Sequence, residues 1–174
     1  HAQATINPGG NPNDTRIVER LTGTGLDITN PMLEQGNRNT QIATFTNGIA
    51  GAGFDIDDGV LFSTGNAVDD LTTRNVRAVT SVSPTNTGTD PNLIAINPSA
   101  AFNTVAYSFD ITLAPEVTGM RIVFQFGSEE YPDYVGSVFN DIFGFFVSGP
   151  GIGNGTTPKN FALLPSNNDV IAVN

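Results

Sequence analysis

Apolar and polar positions alternate most regularly between Asn103 and Ala114. Val105, Tyr107, Phe109, Ile111 and Leu113 share one parity, and Ala106, Ser108, Asp110 and Thr112 the other. A period of two marks a strand with one face buried. After a turn at Pro115-Glu116 the alternation resumes in Met120, Ile122, Phe124 and Phe126, so the two runs predict an antiparallel pair. Shorter strand signals fall at 25–30, 40–46, 59–64, 141–148, 160–164 and 169–173. Residues 65–101 show no clear period and read as a long excursion holding one helical turn or a short strand. The one good helical pattern follows Asp14, a candidate N-cap, with Ile17, Val18 and Leu21 on one face and Gly23 and Gly25 as stops. Many short strands joined by turn residues predict an all-β fold, a β-sandwich or jelly roll with one short N-terminal helix. Residues 1–13, rich in Asn, Pro, Gly and Gln, form a flexible arm, and 14–174 a single domain.

Composition narrows the function. The chain has 174 residues, a formal net charge of -10, no Cys and a single His. Lack of thiols excludes cysteine catalysis, disulfides and thiolate metal sites, and one His at the N-terminus argues against a Ser-His-Asp triad or a multi-His centre. The acidity argues against nucleic acid and anionic lipid as partners. Charged residues make up 14%, against about a quarter in ordinary soluble domains. Surface polarity must therefore come from Thr, Asn and Ser, a composition common among secreted bacterial surface proteins. No run approaches the ~20 apolar residues of a membrane span, so direct membrane insertion is not expected. The opening His-Ala-Gln-Ala reads either as a mature N-terminus at a signal-peptidase site or as a tag remnant.

The densest polar cluster lies in residues 127–141, GSEEYPDYVGSVFND, between two apolar runs. Glu129, Glu130, Asp133 and Asp141 would repel one another without a cation or a basic partner. With Asn140 they form a candidate calcium site, since calcium takes six to eight oxygen ligands. The alternative is a solvated acidic loop whose carboxylates cap turns, and the spacing is not that of an EF-hand. Asp55-Ile56-Asp57-Asp58-Gly59 also misses the EF-hand pattern and reads as a tight turn before a strand. Asp90 reads as an Asx-type turn. A glycosidase pair drawn from Glu130, Asp133 and Asp141 is the weakest reading, because there is no Trp for sugar stacking. The Gly149–Gly155 run lacks the following helix and Lys-Ser/Thr that phosphate binding needs, so a turn is expected.

The run GSEEYPDYVGSVFNDIFGFFVSGPGIG, residues 127–153, closely resembles the choice-of-anchor L family of bacterial surface domains. Phe161-Ala162-Leu163-Leu164-Pro165 resembles the strand that follows it there. Gly59–Gly65, Thr89–Leu93 and Thr104–Asp110 resemble earlier family motifs in the same order. The resemblance covers roughly residues 14–174. It implies a secreted or cell-surface β-rich module, non-enzymatic, with a structural or adhesive role in the extracellular matrix. Its partners would be another copy, another surface protein, or a glycan or peptide ligand held with calcium. Family domains also continue beyond the Asn-Val-Asn that ends this sequence. The expectation is therefore a sandwich short of its last strands: either the sequence is a fragment, or a neighbour's arm completes the sheet by strand addition into a fibre.

Overall fold

The computed structural model describes residues 5–7 as backbone, and 13–67, 88–128, 135–136 and 140–173 in full. The chain is predominantly β. In order its elements are β1 (Thr5–Asn7), α1 (Asp14–Leu21), β2 (Leu26–Gln35), α2 (Arg38–Gln41), β3 (Ile42–Thr46), α3 (Gly48–Ala52), β4 (Gly59–Phe62), α4 (Pro91–Ile96), β5 (Ala106–Leu113), β6 (Ile142–Phe143), β7 (Phe146–Val147), β8 (Lys159–Asn160) and β9 (Ile171–Ala172). The described strands form four open sheets, β1-β3-β4, β2-β5, β6-β9 and β7-β8, all antiparallel. Two large facing sheets are not seen among the described residues, and three short helical segments join the single helix that periodicity predicts.

The core is built on β3. Ile42, Ala43, Thr44 and Phe45 are all buried, because the strand lies between β1 and β4 and is covered on both faces. Ala43, Phe45 and Ala67 pack with Phe54, Ile56 and Leu61. Phe45 meets Phe54 edge-on, with ring centroids 5.7 Å apart at 79°, the geometry that aromatic quadrupoles favour. The arm supplies β1, whose Thr5, Ile6 and Asn7 sit opposite Thr46, Phe45 and Thr44.

The segment that follows β3 reverses tightly. Asn47 takes a left-handed φ of 60°, a conformation that Asn tolerates better than most residues. The Gly48 amide then donates to the Asp57 carbonyl at 2.8 Å, and the Ile49 amide to Asp57 Oδ1 at 3.3 Å. Asp57 thus caps α3, and the Asp55–Gly59 stretch is the turn its sequence predicts. Asp58 pairs with Arg20 at 2.8 Å and fastens α1 to this turn.

β5 does not pair with residues 120–126 as the alternation suggests. Its partner is β2, through a ladder running from Leu26↔Leu113 to Gln35↔Ala106. β2 reaches Gln35, beyond the expected end at Asn30, because a bulge absorbs Pro31. Proline cannot donate to a ladder, and the register shifts between Thr29 and Met32. Asn30 turns into the left-handed region, φ 51°, and its Nδ2 donates to Asp110 Oδ2 at 2.7 Å, pinning the bulge. Residues 117–128 carry no regular structure. The apolar run 141–148 is likewise split into β6 and β7, which pair with different strands.

The α1 helix is capped by Asn13, one residue before the expected Asp14. Asn13 Oδ1 accepts from the Arg16 amide at 3.1 Å, which leaves the Asp14 carboxylate free to act elsewhere. Ile17 is fully buried, while Val18 and Leu21 are half-buried.

Gly48 is buried against the Ile56 carbonyl and the Phe45 and Phe54 rings, so an added Cβ would clash with backbone as well as side chains. Gly48→Ala is expected to destabilise the protein by about 1–3 kcal/mol, measured as a lower urea midpoint with an unchanged slope. Gly53→Ala, at a left-handed turn with open space around it, should cost about 1 kcal/mol from backbone strain alone.

Candidate functional site

The acidic segment begins where the chain leaves Gly127 and ends at β6. Glu129, Glu130 and Asp133, three of the five expected calcium ligands, lie outside the described residues. Asn140 and Asp141 are placed at the start of β6, where the Asn140 amide and the Asp141 carbonyl hold neighbouring backbone. With its amide oriented to suit its neighbours, Asn140 donates from Nδ2 to the Val173 carbonyl at 2.6 Å and to the Asp141 carbonyl at 3.0 Å. Its Oδ1 accepts from Asn97 Nδ2 at 3.0 Å. The Val173 amide in turn donates to the Asp141 carbonyl at 3.0 Å. Asn140 therefore ties the C-cap of α4 to the start of β6 and the end of β9. Among the described residues no three His, Cys, Asp or Glu side chains come together as a metal site.

The described chain on either side of this segment is apolar. Phe143 of β6 packs on Phe124, with centroids 4.9 Å apart. Gly144 lies flush against the Phe146 ring and Leu93. Asn160 of β8 holds the outgoing chain: its Oδ1 accepts from the Phe145 and Ala162 amides, each at 3.0 Å. Asp90 Oδ1 accepts from the Asn92 and Leu93 amides at 2.8 and 3.1 Å, and Pro91 occupies the first turn. The expected Asx turn is thus the N-cap of α4. In the glycine-rich run, Gly151, Gly153 and Gly155 all adopt positive φ, and the Ile152 amide donates to the Gly149 carbonyl at 3.0 Å. The run is a turn, as its sequence predicts.

One polar cluster was invisible in the sequence. Asp14 Oδ1 accepts from the Tyr107 hydroxyl at 2.6 Å and lies 2.7 Å from Arg38 Nη1. The guanidinium carbon of Arg38 also stands 5.9 Å from the Tyr107 ring centroid, within cation–π range. Three elements, α1, α2 and β5, are joined here by residues up to 93 positions apart, and no local spacing announces such a contact. Burial pushes the Asp14 carboxyl up, but the hydrogen bonds from Tyr107 and Arg38 and the guanidinium charge outweigh it and hold the carboxyl below the usual range. Burial, and then the bond to the Asp14 carboxylate, raise the Tyr107 hydroxyl above the usual tyrosine range. The cluster stays protonated on Tyr107 and ionised on Asp14 at neutral pH, which suits a fastening rather than an acid–base pair.

The ordered motifs 59–65, 89–93, 104–110 and 161–165 now have places: β4 and its turn, the α4 cap, β5, and the segment that bridges Leu163 to Val170. The model of the choice-of-anchor L domain matches residues 6–174. The chain belongs to the choice-of-anchor L domain family. The match begins at Ile6, within β1, and so includes most of the arm. Membership points to a surface-associated bacterial protein. No curated protein and no solved structure matches the chain significantly. Among the described residues no helix of this choice-of-anchor L domain is long and apolar enough to cross a membrane.

The Asp14–Tyr107–Arg38 cluster makes a prediction about pH. A depressed Asp14 pKa contributes stability that is present above the unfolded value, about 3.9, and is lost as pH falls through the folded value. A raised Tyr107 pKa contributes stability present below about 10 and lost as pH rises through its folded value. Tyr107→Phe should cost about 1 kcal/mol at neutral pH, a modest figure because Asp14 is partly solvated. Asp14→Asn should flatten the acid limb of a stability–pH curve followed by urea denaturation. An unchanged acid limb would show that the cluster contributes nothing.

Proposed function

We propose that this choice-of-anchor L domain is a non-enzymatic extracellular module of the bacterial surface or matrix, acting as a structural or adhesive subunit. The observation that carries this reading is the pairing of the arm strand β1 with β3. Three residues of the arm add to the edge of the main sheet, and backbone pairing of this kind depends little on which copy supplies the strand. In the assembled form, the arm of one subunit occupies the β3 edge of the next. This head-to-tail contact does not close on itself and so propagates as a fibre. The sheets of each subunit are taken to be layers of a β-sandwich.

The test is deletion of residues 1–12. Negative-stain imaging should show fibres for the full chain and only single particles for the deletion variant, provided the variant still melts cooperatively. Fibres that persist unchanged without the arm would count against the reading.

A second reading is a calcium-dependent adhesin for a glycan or peptide. The concentration of carboxylates at Glu129, Glu130, Asp133 and Asp141 favours it, with the carbonyl of Asp141 anchored by Val173. Asn140 would contribute least, since its amide is already engaged. A ligand that binds only the folded state raises the melting temperature. Calcium should therefore lift the melting midpoint by several degrees and chelator should reverse it. Identical melts in the two conditions argue for a solvated loop.

A further inference from the structure

Residues 119–127 read Gly-Met-Arg-Ile-Val-Phe-Gln-Phe-Gly. Their alternation and their β-branched and aromatic content suit a strand. Within the described residues, however, no backbone group from 118 to 127 takes a backbone partner. Met120, Ile122, Val123 and Phe124 remain between 39% and 56% exposed. A strand-competent segment with unused N–H and C=O groups is a template for another extended chain.

We propose that this segment pairs antiparallel with the same segment of a second copy, about a two-fold axis at Val123. The occupant follows from the near-palindrome of the sequence. Pairing about Val123 sets Gly119 opposite Gly127, Met120 opposite Phe126, Arg121 opposite Gln125 and Ile122 opposite Phe124. Apolar residues meet apolar ones, and each cation meets a neutral amide rather than its symmetry mate, which is the condition for a stable cross-strand register. Charge selects the same strip. The chain carries -10, so two copies repel wherever their carboxylates approach. Residues 117–128 contain one charge, Arg121, and neither ion pair between described residues uses it. The strip therefore presents a cation to the acidic field of its partner. A two-fold contact of this type is self-complementary and closed. It rests on the reading of the chain as a surface subunit, but it uses a surface separate from the arm.

The chain has no cysteine, so Val123→Cys places the only thiols in the sample across the proposed axis. Ile49→Cys, at a residue 54% exposed on α3, is the control. Under mild oxidation, V123C should form a covalent dimer roughly tenfold faster than I49C or more, because aligned thiols react at high effective concentration. Adding Ile122→Lys should abolish that advantage. Equal rates for V123C and I49C would overturn the proposal. Failure of the arm reading, with fibres unchanged after deletion of residues 1–12, leaves the V123C result unaffected, so the two ideas fall separately.

Discussion

The fold depends on the burial of β3. A strand with Ile42, Ala43, Thr44 and Phe45 all removed from solvent must have its backbone groups paired on both edges, because an unpaired buried amide costs as much as its side chains gain. β4 supplies one edge and β1 the other. This requirement draws residues from the arm into the main sheet. It also forces the chain to reverse tightly at Asn47-Gly48, where Asp57 provides the caps and only glycine fits beneath Ile56. The α1 helix then covers the sheet through Ile17 and is fastened by Arg20 to the same turn.

Elsewhere the protein is held by amides more than by charges. Asn13 caps α1, Asn30 pins the β2 bulge, Asn140 joins α4 to β6 and β9, and Asn160 secures the chain beside β7. The fully buried Gln41 accepts from the Asn37 amide at 2.7 Å and donates to the Asn103 carbonyl at 2.9 Å. A carboxamide offers donors and an acceptor without a charge to desolvate. A chain with 14% charged residues can thus satisfy its turns and caps internally, and the scarcity of lysine and arginine costs it little.

The same economy leaves edges open. The described sheets hold two or three strands each, and residues 118–127 carry strand chemistry without a ladder. Strand addition along β3 and two-fold pairing of Met120–Phe126, as proposed above, both rest on that one property.

The sequence by itself determined the β-rich class, the surface family, the β5 alternation, the Asp90 turn and the glycine turn at 149–155. These are local matters of side-chain period and turn chemistry, which neighbours a few residues away decide. It also marked 120–126 as a strand paired with β5, where the folded chain has no regular structure. Only the tertiary structure decided that β2 takes that place, because a bulge at Asn30-Pro31 carries a strand past a proline that reads as its end. The same holds for Asn140, whose amide bonds Val173 and Asn97, and for Asp14, which meets Tyr107 from 93 positions away. Partner choice depends on which distant groups the folded backbone brings within hydrogen-bond reach, and no spacing along the chain encodes that distance.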